Sequence, residues 1–119
     1  MDGYKDLRVW KKSIDLVKQV YSITKTFPKE ERYALTAQIN RAVVSIPSNI
    51  AEGNGRASIK DYIHFLNIAR GSLYEAETQF YIANQLGYVA NEIYTDTESV
   101  IDEVGRMLNK LIAVLTEKM

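Results

Sequence analysis

The feature that most constrains this chain is an unbroken row of eight residues, Ile59, Tyr62, Leu66, Ala69, Leu73, Ala76, Phe80 and Ala83, stepping 3, 4, 3, 4, 3, 4, 3. Side chains at that spacing share one face of an α-helix, whereas a strand would divide them between two faces. Ser58 with Asp61 three residues on resembles a capping box at the start of this helix. Gly87 after Leu86 reads as its stop. Gly71 sits in the middle, where glycine costs about 1 kcal/mol against alanine, so close approach of a second helix is the expected reason for it.

Three further segments carry the same period. In the first, Leu7, Trp10, Ile14, Val17, Tyr21 and Thr24 form one row, and Val9, Ser13, Leu16, Val20, Ile23 and Phe27 form another beside it. Together the two rows cover roughly half the helix cylinder, wider than one buried face in a small bundle needs, which points to a second neighbour such as another subunit. Phe27-Pro28 ends this pattern. The second segment is expected from about Lys29 to Glu52, with Leu35, Ile39, Ala42, Ile46 and Ile50 on one face and Pro47 imposing a kink or a division into two helices. Glu30 and Glu31 near its start oppose the helix dipole. Gly53-Asn54-Gly55 reads as the clearest loop. The fourth segment starts near Asn91, with Ile93, Thr97, Val100, Val104, Met107, Leu111 and Val114 on one row and Ile101, Leu108, Ile112 and Leu115 on the next. No stretch alternates with period two. The expected architecture is all-α: an up-down-up-down antiparallel four-helix bundle over residues 1–119, one domain, its second helix containing or kinked at Pro47.

Composition closes off most chemistry. Without cysteine there are no disulfides, thiolate zinc sites or thiol nucleophiles, and the chain fits a reducing, cytoplasmic compartment. Asp61-x-x-His64 is the only echo of a di-metal bundle motif, and a single histidine cannot supply the pair such a site requires. Gly53-x-Gly55-Arg56 lacks the Lys-Ser/Thr of a phosphate loop, and no Gly-x-Ser-x-Gly occurs. The start is charged from Asp2 onward, unlike a secretory signal. The longest uncharged window, Thr78 to Asn91, has 14 residues, short of the roughly 18–20 that span a membrane. Tyr21 and Tyr62 fall on apolar rows and are expected in the core rather than as base-stacking platforms. The expectation is no enzyme: no catalytic residue, no cofactor, no metal and no membrane.

Charge is more informative than its sum. Fifteen basic and fifteen acidic side chains cancel, but residues 1–56 carry ten basic against six acidic and residues 57–119 carry five against nine. No lysine or arginine occurs from Gly71 through Gly105. Cancellation between neighbouring helices within the chain is the plainer expectation, and a polarised surface is the alternative. On the first helix Arg8, Lys11, Lys18, Lys25 and Lys29 lie on one stripe, broken by Asp15, opposite the apolar arc. Such a stripe is either a solvated face or a phosphate-binding one. On the second helix Gln38, Arg41, Ser45, Asn49 and Glu52 form a polar row bordering the core, for which Arg70 and Glu75 on the third helix are candidate partners. This row reads as a polar seam or a subunit interface rather than a ligand or catalytic site.

The stretch from Gln38 to Gly53, QINRAVVSIPSNIAEG, resembles the four-helix bundle family of 23S rRNA intervening-sequence proteins. The opening Tyr4-Lys-Asp-Leu-Arg-Val-Trp10-Lys, Phe27-Pro28 with Glu30-Glu31-Arg-Tyr33, Phe65 to Glu75 (FLNIARGSLYE), and Leu86-Gly87-Tyr88 extend the likeness over nearly the whole chain. The resemblance implies a homo-oligomeric ring, a pentamer, with RNA or a nucleic-acid-processing protein as partner. Related accessory proteins of diversity-generating retroelements bind nucleic acid and a reverse transcriptase; those are markedly basic, whereas this chain is neutral. The resemblance brings no catalytic residues. A protein–protein scaffold without nucleic-acid binding is the alternative.

Overall fold

The computed structural model describes residues 3–119; Met1 and Asp2, part of the charged start, lie outside the described residues. A 3-10 turn over Tyr4–Asp6 leads into α1 (Arg8–Thr24), and a second over Lys29–Glu31 precedes α2 (Leu35–Asn54), α3 (Ile59–Gln85) and α4 (Asn91–Glu117). Each helix packs on its sequence neighbours and α1 closes against α4, while the diagonal pairs α1–α3 and α2–α4 bring no Cα atoms within 8 Å of each other. Short connections and this four-sided arrangement make the up-down-up-down antiparallel bundle expected from the periodicity, 45 × 25 × 23 Å in extent.

The eight-residue row of α3 is the spine. Leu66, Ala69, Leu73, Ala76, Phe80 and Ala83 are buried, large alternating with small so that neighbouring helices interdigitate. Ser58 accepts the Asp61 amide at 3.1 Å, as its spacing predicts. At the other end Gly87 takes a left-handed conformation (φ 84°). Tyr88 N–H then reaches the Ala83 carbonyl at 2.9 Å and Gly87 N–H that of Asn84 at 3.0 Å, a Schellman termination.

Three expectations need correction. α2 does not start at Lys29: the chain breaks at Ala34 (φ −118°, ψ −107°), and Glu31 turns its carboxylate onto the Leu35 amide at 3.3 Å. α2 contains Pro47, one of the outcomes expected of it, and runs through it as one helix with the ring buried. Gly53 is not loop but the last buried turn of α2; a Cβ there would stand 2.8 Å from Phe65 Cβ and 3.1 Å from the Tyr62 carbonyl. Close helix approach therefore belongs to Gly53 and not to Gly71, where a Cβ would meet nothing within 4 Å.

α1 docks through Val9, Ser13, Leu16, Val20 and Thr24. The parallel row of Trp10, Ile14 and Val17 is half-exposed, and Tyr21 is 40% exposed, not core. The reason is directional. Packed between α2 and α4, α1 buries the stripe that faces them and leaves the rest of its wide apolar arc at the margin.

Candidate nucleic-acid interface

The α1 stripe points away from the core. Arg8, Lys11, Lys18, Lys25 and Lys29 are all exposed, as is the interrupting Asp15. The side-chain ion pairs among the described residues are Lys12–Glu103 (3.2 Å) across α1 and α4, and Arg56–Glu52 along one turn. Among the described residues the five stripe cations therefore carry no carboxylate partner. Basic α1 packs beside acidic α4, the cancellation between neighbouring helices that the sequence suggests, and Lys12–Glu103 is the inter-helix ion pair among the described residues.

The break at Ala34 adds a residue that helical spacing could not place. Lys25 and Lys29, the last cations of the stripe, line a groove of about 470 Å³ together with Arg32, Thr24, Phe27, Pro28 and Thr36. Read as helix from Lys29 onward, Arg32 belongs to no pattern; the short 3-10 turn swings it back toward α1. The Phe27-Pro28 signal marked the turn but not its length.

The polar row of α2 divides. Ser45 and Ser72 hydroxyls meet at 2.9 Å, and Asn49 donates to the Ser45 carbonyl and hydroxyl at 2.8 and 2.9 Å. Gln79 donates to Gln38 at 3.4 Å. Gln38, Arg41, Ser45 and Glu75 share a groove of about 430 Å³ with Gln79. Two members do not join them. Glu52 lies near the end of α2 on Arg56, and Arg70 faces α4, donating to Asn109 at 2.9 Å and to Asn67 at 2.8 Å. A helix presents flanking positions to different neighbours, so Arg70 and Glu75, five residues apart on α3, cannot both meet α2.

Spacing also missed an acidic cluster. Glu77 of α3 and Glu98 and Asp102 of α4 bring carboxylate oxygens within 4.8 Å of one another, and Tyr94 donates to Glu98 at 2.8 Å. Burial, the hydrogen bond with Glu98 and the charges of Glu98 and Asp102 hold the Glu77 carboxyl above its ordinary range. Burial and then Glu98 push the Tyr94 phenol up to about 12. Three such carboxylates are a donor set a cation accepts, yet a proton held between Glu77 and Glu98 relieves the same repulsion. The legible signal was the four-residue spacing of Glu98 and Asp102 in a stretch without cations.

The sequence pattern of the 23S rRNA-intervening sequence protein family matches residues 5–110. The chain belongs to that family. A crystal structure of a protein of unknown function from the S23 ribosomal protein family of Bacteroides thetaiotaomicron is similar in fold, with a TM-score of 0.82 and 26% identity over 88% of this chain and 95% of that chain. No curated protein matches. No helix among the described residues is long and apolar enough to cross a membrane.

Proposed function

We propose that the protein is a non-catalytic, homo-oligomeric accessory that associates with RNA through the outer face of α1. The observation carrying this reading is the row of five exposed cations, Arg8, Lys11, Lys18, Lys25 and Lys29, without carboxylate partners among the described residues. A family named for an intervening sequence of 23S rRNA gives that row a fitting partner. Phosphate neutralisation releases counterions, so five contacts to single-stranded RNA give a slope of about −3.5 in log K against log salt. Fluorescence titration of a labelled oligoribonucleotide measures it. Replacing the five residues by glutamine should flatten the slope and weaken binding; equal affinity of the variant, or no binding at low salt, overturns the reading.

Self-association has its own support. Trp10, Ile14 and Val17 of α1 with Val44, Pro47 and Ala51 of α2 line an open groove of about 290 Å³. A pentameric ring would cover such a groove; a monomer by light scattering at micromolar concentration removes this part. Exposed Tyr74, Tyr81 and Leu86 favour the second reading, a protein-binding scaffold such as one for a nucleic-acid-processing enzyme. Recovery of a defined protein after nuclease treatment, with no RNA affinity, would favour the scaffold.

A further inference from the structure

The groove at the α1–α2 turn combines features that the stripe alone lacks. Lys25, Lys29 and Arg32 bring three exposed cations to one concavity of about 470 Å³. Thr36 lines it from the first turn of α2, and its hydroxyl oxygen is buried without a hydrogen-bond partner. A buried hydroxyl left unpaired is costly; rotation about its Cα–Cβ bond turns it from the groove wall toward an acceptor bound there. Glu31 caps the start of α2, with one oxygen accepting from the Leu35 amide and the other from the Tyr88 hydroxyl at 2.9 Å, and it is not among the residues lining the groove. Beside the groove Tyr33 is 88% exposed, and the Arg32 guanidinium lies 5.9 Å from the centre of its ring. A large aromatic side chain held that far into solvent contributes nothing to the core.

We propose that this groove is a nucleotide-binding subsite: a phosphate seated among Lys25, Lys29, Arg32 and the Thr36 hydroxyl, with the attached base stacked on Tyr33. The inference deepens the RNA reading and rests on it in part, since Lys25 and Lys29 belong to both. Arg32, Tyr33 and Thr36 do not, and they separate the two. The subsite defines a fixed point on the strand, whereas the rest of α1 offers only a line of charge. Base stacking on one ring is sequence-tolerant, so the subsite selects a single-stranded nucleotide and not a sequence.

The test is titration of the intact protein with inorganic phosphate, adenosine 5′-monophosphate and a short oligoribonucleotide, read by amide shifts of Arg32 to Ala37 and by affinity. Thr36→Val should weaken all three by about tenfold, with Thr36→Ser retaining binding, because a hydrogen bond to a charged group is lost and restored. Tyr33→Ala should weaken the nucleotide and the oligonucleotide by about tenfold and leave inorganic phosphate unchanged. Equal helicity by circular dichroism keeps these losses distinct from unfolding. Phosphate and nucleotide binding here without oligonucleotide binding supports the subsite with a free nucleotide as its source and overturns the RNA reading. Oligonucleotide binding that leaves Arg32 to Ala37 unshifted and survives Thr36→Val overturns the subsite alone. Binding of none of the three overturns both.

Discussion

The two flanks of α2 are built on opposite principles. Toward α3 the helix closes tightly: Gly53 lets the backbone of α3 come within contact distance, and Ser45 meets Ser72 hydroxyl to hydroxyl. Toward α1 it meets large side chains, Trp10, Ile14 and Val17 against Val44 and Pro47, and these leave a groove rather than a seam. The α2–α3 contact is the most extensive in the bundle. One helix thus carries a flank finished within the chain and a flank that leaves apolar surface open to solvent. Small residues permit close packing and large ones, arranged wider than the bundle can bury, do not.

Truncation should expose this difference most. Ile46 is fully buried, and Ile46→Ala should lower the free energy of unfolding by about 2–5 kcal/mol. Ile14, half-exposed in the groove, should cost only about 1 kcal/mol on truncation to alanine, because little of its surface leaves water in the isolated chain. Urea denaturation of dilute monomer gives both values. Equal losses would mean that the α1 flank is as finished as the other.

The two glycines sharpen it next. Gly53→Ala forces Phe65 and Tyr62 apart and should cost about 1–3 kcal/mol. Gly71→Ala adds a methyl into open space on an exposed helical face and should gain about 0.8–1 kcal/mol. Opposite signs in thermal melts are the expected outcome; a loss at Gly71 would reveal a neighbour on that face in the assembly. At the foot of α3, Ser58→Ala removes the bond to the Asp61 amide and should cost about 1 kcal/mol.

How far these features could be read in advance follows from what periodicity encodes. The α3 row identified its buried residues, its cap at Ser58 and its stop at Gly87, because all three are local statements about one helix. Periodicity says which residues share a face, not which face a neighbour takes. Hence Trp10 and Tyr21, on a row as regular as that of Val9 and Leu16, lie at the margin. Glycine was legible as an exception and not as a cause: Gly53 looked like loop and Gly71 like a contact, and the structure reverses them. The α1 stripe was legible because it needs no partner to be defined. The Lys25–Lys29–Arg32 groove was not, because it depends on a backbone break at Ala34 that alanine does not announce. The acidic cluster needed the register of α3 on α4, which no single helix contains.

That register supplies a last contrast between seams. The α2–α3 seam is bridged by hydroxyls and amides, Ser45 with Ser72 and Gln38 with Gln79, which keep their charge state over the ordinary pH range. The α3–α4 seam instead holds Glu77 against Glu98 and Asp102. The Glu77 carboxyl is raised above its ordinary value of 4.5 by burial first, then by its hydrogen bond to Glu98 and the neighbouring charges. A group raised in the folded state contributes stability that is full below its unfolded value and is lost as pH rises through the folded one. Wild type should therefore lose stability relative to Glu77→Gln as pH climbs out of the carboxylate range, and the two melting curves should converge in acid. Hydrogen exchange assigns the effect to a place: amides of α3 and α4 around Glu77 and Glu98 should open faster at higher pH in wild type and not in the variant, after correction for intrinsic exchange. Parallel melting curves at every pH would show that the carboxyl pair is as inert as the Ser45–Ser72 contact, and the distinction between a neutral seam and a titrating one would fail.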